Sequence, residues 1–153
     1  MNIVFFLTPK AACAYARAED SVRQALERME KIGYSALPIL SRDGKYRGTL
    51  TEGDLLRAIK GMDISDKRSM EKIGIMELRR RKDYKTVSVD TKVEDLMSRA
   101  IEQNFVPVVD DRDTFIGIIT RKAILQYCMR QYMGEKEGPQ KAEPLMTSWS
   151  YRI

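Results

Sequence analysis

The stretch Gly48-Thr49-Leu50-Thr51-Glu52-Gly53-Asp54-Leu55-Leu56 is answered further along the chain by Gly117-Ile118-Ile119-Thr120-Arg121-Lys122-Ala123-Ile124-Leu125. Pro38 and Pro107, Gly48 and Gly117, and Thr51 and Thr120 each stand 69 residues apart. A constant offset over so long a span is the signature of a duplicated unit. Each copy reads as a strand running into a helix, and 153 residues suffice for two small, closely packed units.

The first copy opens with Thr8-Pro9-Lys10, where proline interrupts regular structure, and a short strand is expected over Cys13 to Ala16. Asp20 or Ser21 can cap a helix with Val22, Ala25, Leu26 and Met29 on one face, and Gly33 is placed to end it. The nearly all-apolar Ala36 to Leu40 follows as a buried strand. Pro38 within it suggests an edge strand or a bulge. Asp43-Gly44 then turns the chain into a hairpin with Tyr46 to Thr51, and a second helix runs from Glu52 to about Lys60.

The second copy repeats the order: a strand at Thr86 to Val89, and a helix carrying Val93, Leu96, Met97, Ala100 and Ile101 behind a Thr91/Glu94 capping box. Val106 to Val109, a turn at Asp110 to Asp113, and Phe115 to Thr120 form its hairpin. Its last helix runs from Arg121 to about Met133, with Gly134 as the stop. The organisation is therefore residues 1–60 as the first repeat with an N-terminal approach segment and 61–84 as a connector holding a helical turn or two around Met70 to Ile73. Residues 85–133 form the second repeat, and 134–153 a loose tail.

Composition narrows the function. Hydrophobic residues at 43% and charged residues at 32% are ordinary for a soluble globular protein. The apolar run from Ile3 to Leu7 is too short for a bilayer span or a secretory core, so a cytoplasmic location and no membrane partner are expected. Cys13 and Cys128 read as small buried hydrophobes. The chain has no histidine, which removes the commonest general base and metal ligand and argues against an enzyme. A net charge of +5 suits an anionic small molecule and nucleic acid alike.

Thr51 and Asp54 admit two readings on their own. A threonine at a strand end with an acid three residues on is what a helix N-terminus needs to satisfy its free N–H groups. The same geometry presents N–H groups and a hydroxyl to a phosphate, with a carboxylate able to accept both hydroxyls of a ribose. In the second copy Ala123 stands where the acid would be, and Arg121-Lys122 place two cations at a helix start, which an anion could hold.

The chain resembles a tandem pair of CBS domains, the regulatory module named after cystathionine beta-synthase. The resemblance rests on Val22 to Leu26, Tyr34 to Ile39, Asp43-Gly44, Gly48 to Leu55, Phe105 to Val109 and Gly117 to Arg121, and covers residues 9 to 130. It is similar to stand-alone bacterial CBS pairs, some of which are receptors for adenine nucleotides or cyclic di-AMP. The resemblance implies an α+β fold of two β-α-β-β-α units packed as four layers α/β/β/α, assembled as a homodimer. It also implies a non-enzymatic sensor that binds AMP, ADP, ATP or cyclic di-AMP in the cleft between the repeats, requires no cofactor, and signals to a partner protein of unknown identity.

On that resemblance Asp54 holds the ribose, with Thr51, Thr120, Arg121 and Lys122 near phosphate. Cys13, Ala14, Tyr34, Ser35, Ala36 and Pro38 form the adenine slot. Lys85, Thr86, Phe105, Val106 and Pro107 are its counterparts, Phe105 being placed to stack on a base. Arg80, in the basic run Arg79 to Lys82, borders the cleft. Two rival readings compete with the sensor. One is a dimerisation scaffold with a vestigial cleft, which Ala123 favours. The other is a basic nucleic-acid module using Arg79 to Lys82, though neither interleaved aromatics nor a reading helix accompanies that run.

Overall fold

The computed structural model describes residues 2–62, 67–80 and 83–134. The strands are β1 (Thr8–Pro9), β2 (Ala16–Arg17), β3 (Ala36–Leu40), β4 (Tyr46–Thr51), β5 (Val87–Ser88), β6 (Phe105–Val109) and β7 (Phe115–Thr120). The α-helices are α1 (Val22–Ile32), α2 (Glu52–Lys60), α3 (Lys67–Lys72), α4 (Val93–Glu102) and α5 (Arg121–Tyr132). Within each repeat the order is strand, helix, strand, strand, helix, as the duplicated sequence predicts. The strands form two sheets and the chain divides into two units, each mixing helices with one sheet. Arg81, Lys82 and the tail from residue 135 lie outside the described residues.

One unit holds the first repeat and runs from Ala14 to Asp83. Its sheet has the order β2-β3-β4, with β2 parallel and β4 antiparallel to β3. Ser21 caps α1: its hydroxyl accepts the Gln24 N–H at 3.1 Å while the Gln24 side chain accepts the Ser21 N–H at 2.9 Å. Gly33 ends the helix at φ 78°, a left-handed conformation that costs glycine nothing. Val22, Ala25 and Met29 from α1 and Leu55 from α2 are buried with Leu37, Ile39 and Leu50 of the sheet. The connector forms α3 and then a 3-10 turn at Ile75–Glu77, so its helical structure starts earlier and ends later than the turn or two expected near Met70 to Ile73. It is stitched to the start of α1 by Val22 N–H to Ile73 O at 2.8 Å and Ile75 N–H to Asp20 O at 2.9 Å.

The other unit holds the second repeat together with residues 2–13. Its sheet order is β1-β7-β6-β5, and Ile3, Phe6, Leu96, Val106, Val108, Ile119 and Ile124 form its core. The edge of the Tyr127 or Phe6 ring meets the other's face at a centroid distance of 5.1 Å. The N-terminal segment, assigned on sequence to the first repeat, pairs antiparallel with β7 instead, Thr8 opposite Ile118 and Pro9 opposite Gly117. Gly117 makes that pairing possible, since a Cβ there, at φ 157°, would overlap the Thr8 carbonyl oxygen. The mirror of this arrangement occurs in the first unit: the segment leading into the second repeat lays Asp83 against Gly48. Each approach segment thus packs on the glycine of the repeat it does not lead into.

Two local expectations are corrected and a third is settled between its two alternatives. The short strand expected over Cys13 to Ala16 forms at Ala16–Arg17, after a 3-10 turn at Lys10–Ala12. β3 is the middle strand rather than an edge, and tolerates Pro38 because the two-residue β2 pairs only with Ile39 and Leu40. A register shift does follow, between Ile39 and Leu40. The Thr91/Glu94 capping box does not form: α4 begins one residue later than that box requires, with Lys92 at its N-cap and no side-chain bond. Thr91 instead donates its N–H to Ser88 O in the preceding turn, at 3.1 Å.

Candidate functional site

Thr51 ends β4 and caps α2, and the two halves of a capping box are present. The Thr51 hydroxyl accepts the Asp54 N–H at 3.1 Å, and Asp54 Oδ2 accepts the Thr51 N–H at 2.9 Å. The helix N-terminus stabilises the negative charge brought there. Asp54 is almost wholly enclosed, its side chain 1% exposed, yet charged, and a buried charge needs a partner. Arg57, one turn further along α2, supplies it: Nη2 donates to Asp54 Oδ1 at 2.6 Å.

Asp54, Arg57 and Ala58 line a cavity of about 640 Å³ whose far wall is Leu78 and Arg79 of the connector. A carboxylate and two guanidinium groups thereby face one space, large enough for a ligand of nucleotide size. Arg79 makes no ion pair among the described residues. Its neighbour Arg80, the residue expected on sequence to border the ligand, is spent elsewhere. Nε and Nη2 of Arg80 grip the two oxygens of Asp83 at 3.0 and 3.2 Å, and Asp83 Oδ1 also accepts the Thr49 N–H at 3.0 Å. The hydrogen bond to Asp83 raises the Arg80 pKa further above its ordinary value. Sequence reasoning missed Arg57 and Leu78, and within the basic run Arg79 to Lys82 it singled out Arg80 rather than Arg79. The spacing of Arg57 three residues after Asp54 on a helix was the available signal.

The expected adenine slot of the first repeat is divided. Tyr34, Ala36 and Pro38 are buried in the sheet unit. Ser35 is half-buried, and its carbonyl accepts the Glu52 N–H at 2.9 Å, tying β3 to the start of α2. Ala14 is half-buried beside Tyr15, whose carbonyl accepts from Arg28 at 2.6 Å. Cys13 belongs to the other unit, where its thiol donates to the Thr8 and Pro9 carbonyls, both at 3.3 Å. Burial pushes that thiol up to about 12, against a smaller opposing effect of a backbone hydrogen bond at Ile118.

In the second repeat Thr120 reproduces the role of Thr51, accepting the Ala123 N–H at 3.1 Å, and Asn104 O accepts the Arg121 N–H at 2.9 Å as Ser35 O does that of Glu52. The Arg121 side chain, expected near phosphate, donates instead to Ala100 O at 2.7 Å and Ile101 O at 3.5 Å. These carbonyls belong to the last turn of α4, whose negative dipole end compensates the cation. Lys122 and Thr86 are half-buried and Lys85 is exposed. Phe105 is 3% exposed and meets Tyr84 edge to face at 4.9 Å, so its ring is core rather than an open stacking surface. Val106 and Pro107 are buried beside it. Gln103, not anticipated, accepts the Lys85 N–H at 2.9 Å and donates to Lys85 O at 3.1 Å and Phe105 O at 3.3 Å. Among the described residues, no group of histidine, cysteine or acidic side chains could hold a metal, and no helix is long and apolar enough to cross a membrane.

Two copies of one strand-helix-hairpin-helix unit, each with a threonine capping its second helix, define a tandem-repeat α+β fold. The family profile of the CBS domain matches residues 9–61 and 75–130, and the chain belongs to that family. It is 22% identical over 121 residues to the cyclic di-AMP receptor B of Bacillus subtilis (strain 168), covering 79% of this chain and 82% of that protein. It is 30% identical over 109 residues, 69% of this chain, to an A-adding tRNA nucleotidyltransferase of Aquifex aeolicus (strain VF5), but spans only 12% of that relative's length. Among solved structures, that of CBSX2 in complex with AMP matches with a TM-score of 0.67 at 22% identity, over 86% of this chain and 98% of the other.

Proposed function

We propose that this chain is a non-enzymatic regulatory module that binds an adenine nucleotide, AMP, ADP, ATP or cyclic di-AMP, and transmits its occupancy to a partner protein. The observation that carries this reading is the enclosed Asp54 carboxylate at the start of α2, opening with Arg57 and Arg79 on one cavity of about 640 Å³. The carboxylate is an acceptor for ribose hydroxyls, and guanidinium groups are suited to phosphate. The likeness to a cyclic di-AMP receptor and to an AMP complex supports the same ligand class. Occupancy signals only if the ligand binds two states of the protein with different affinity.

Thermal unfolding with AMP, ADP, ATP and cyclic di-AMP tests this, with Asp54→Asn alongside because asparagine keeps an acceptor for the Thr51 N–H. A nucleotide at a hundred times its Kd adds about 2.7 kcal/mol to the parent. Loss of that gain in folded Asp54→Asn supports the site; absence of any gain in the parent removes the reading.

A second reading, a dimerisation scaffold, is favoured by one observation: α5 leaves Leu125, Met129 and Tyr132 exposed, Tyr132 at 93%. An exposed apolar helix face of this kind suits a second copy of the chain. Sedimentation equilibrium of the parent and of Leu125→Glu/Met129→Glu distinguishes it: a dimer that becomes a monomer, with no nucleotide bound by either, is its outcome.

A further inference from the structure

The Asp54 site carries its own counterion. Oδ2 of Asp54 is held by the Thr51 N–H and Oδ1 by Arg57, so both oxygens have a donor already. The two bonds differ in permanence. The first lies within a capping box of backbone and short side chain. The second is made by a long side chain that is 49% exposed, against 1% for the carboxylate it holds. Gly53 leaves room for that guanidinium, since a Cβ there would stand 3.3 Å from Arg57 Nη1. Across the same cavity lies Arg79, with no ion pair among the described residues. The second repeat lacks both partners: 69 residues on, Ala123 replaces the acid and Gln126 replaces the arginine.

We propose that Arg57 is an exchangeable counterion that makes this site select phosphorylated nucleosides over nucleosides. Ribose hydroxyls take the place of the Arg57 guanidinium on Asp54 Oδ1. The released Arg57 joins Arg79 on the phosphate, exchanging one charge-assisted hydrogen bond for another. A nucleoside without phosphate must displace Arg57 and offers no anion in return. This specificity role rests on the nucleotide reading above.

The test is calorimetric titration of the full chain with AMP and with adenosine, for the parent, Arg57→Gln and Arg79→Gln. The parent binds AMP more tightly than adenosine. In Arg57→Gln, AMP weakens by roughly ten- to a hundredfold, the range for one charged hydrogen bond, while adenosine holds or tightens because Asp54 is no longer masked. Arg79→Gln weakens AMP and leaves adenosine unchanged. Equal weakening of both ligands in Arg57→Gln would mean that Arg57 merely fixes the carboxylate, and overturns the proposal. Should Arg57→Gln not fold, added salt on the parent decides: AMP falls and adenosine holds or rises, whereas a parallel fall of both overturns it. A parent that binds none of adenosine, AMP, ADP, ATP and cyclic di-AMP removes the nucleotide reading itself, a result distinct from a parent that binds nucleotide and nucleoside with an unaltered ratio in the variants.

Discussion

The Oδ1 atom of Asp83 stands 2.5 Å from the point where Gly48 would carry a Cβ, and it accepts the Thr49 N–H at 3.0 Å. Gly117 is crowded in the same way by the backbone of Thr8. The two glycines differ in what an added methyl group would displace, and that difference can be measured.

At Gly48, with φ 150°, alanine strains the backbone but meets the end of a side chain that can swing aside. Gly48→Ala should cost about 1–3 kcal/mol. At Gly117 the obstacle is the Thr8 backbone in β1, which can yield only by unpairing. Gly117→Ala should therefore cost more than Gly48→Ala and free the N-terminal segment. Urea denaturation of both variants gives the order, and amide exchange at Thr8 reports the unpairing.

Burial pushes the Asp83 carboxyl up, but the Arg80 fork, the Thr49 N–H and the Arg80 charge together outweigh it and hold the group below its ordinary 3.8. A carboxyl lowered by folding contributes stability that is present above 3.8 and is lost as pH falls through the lower folded value. Asp83→Asn removes that contribution, which for a carboxylate 45% exposed to solvent is at most about 1 kcal/mol. Stability curves of parent and variant should differ near neutrality and converge in strong acid; parallel curves would contradict the assignment.

Gln103 is buried and its side chain makes three hydrogen bonds to the backbone of Lys85 and Phe105. Gln103→Leu leaves those groups unpaired, at roughly 1–3 kcal/mol for each that water does not reach. Guanidinium denaturation should show a loss of about 2 kcal/mol or more, and the Lys85 amide should exchange faster, without loss of the first unit's fold.

The Cys13 thiol, pushed up to about 12 and donating to two carbonyls, carries almost no thiolate at neutral pH. It should resist iodoacetamide in the folded protein and react only on unfolding. Peptide mapping after timed alkylation checks this, and rapid native labelling of Cys13 would refute it.

Much of the fold is legible because local chemistry and tertiary packing agree. Ser21 and Thr51 cap helices where a hydroxyl followed three residues on by a side-chain acceptor says they should. The repeats differ in register by two residues over the first helix, which the structure divides evenly. α1 has 11 residues and α4 has 10, and the loops after them hold residues 33–35 and 103–104. Thr91 shows the limit, since a correct capping motif lost to a turn bond with Ser88.

The candidate site was half legible. Thr51 and Asp54 are neighbours in sequence, and their bonds follow from helix geometry alone. Arg57 was within reach of the same reasoning. Whether Arg79 or Arg80 lined the cavity beside Asp54 was not, because it depends on Arg80 being claimed by Asp83.

From the sequence alone came the duplication, the order of elements in each copy and the capped acid at Asp54, because these rest on periodicity and on contacts within four residues. Only the tertiary structure assigned the N-terminal segment to β7, Asp83 to Gly48, and Arg121 to the end of α4. Each of those pairings joins residues far apart in the chain and was decided by which backbone groups remained unsatisfied and where a glycine left room for them.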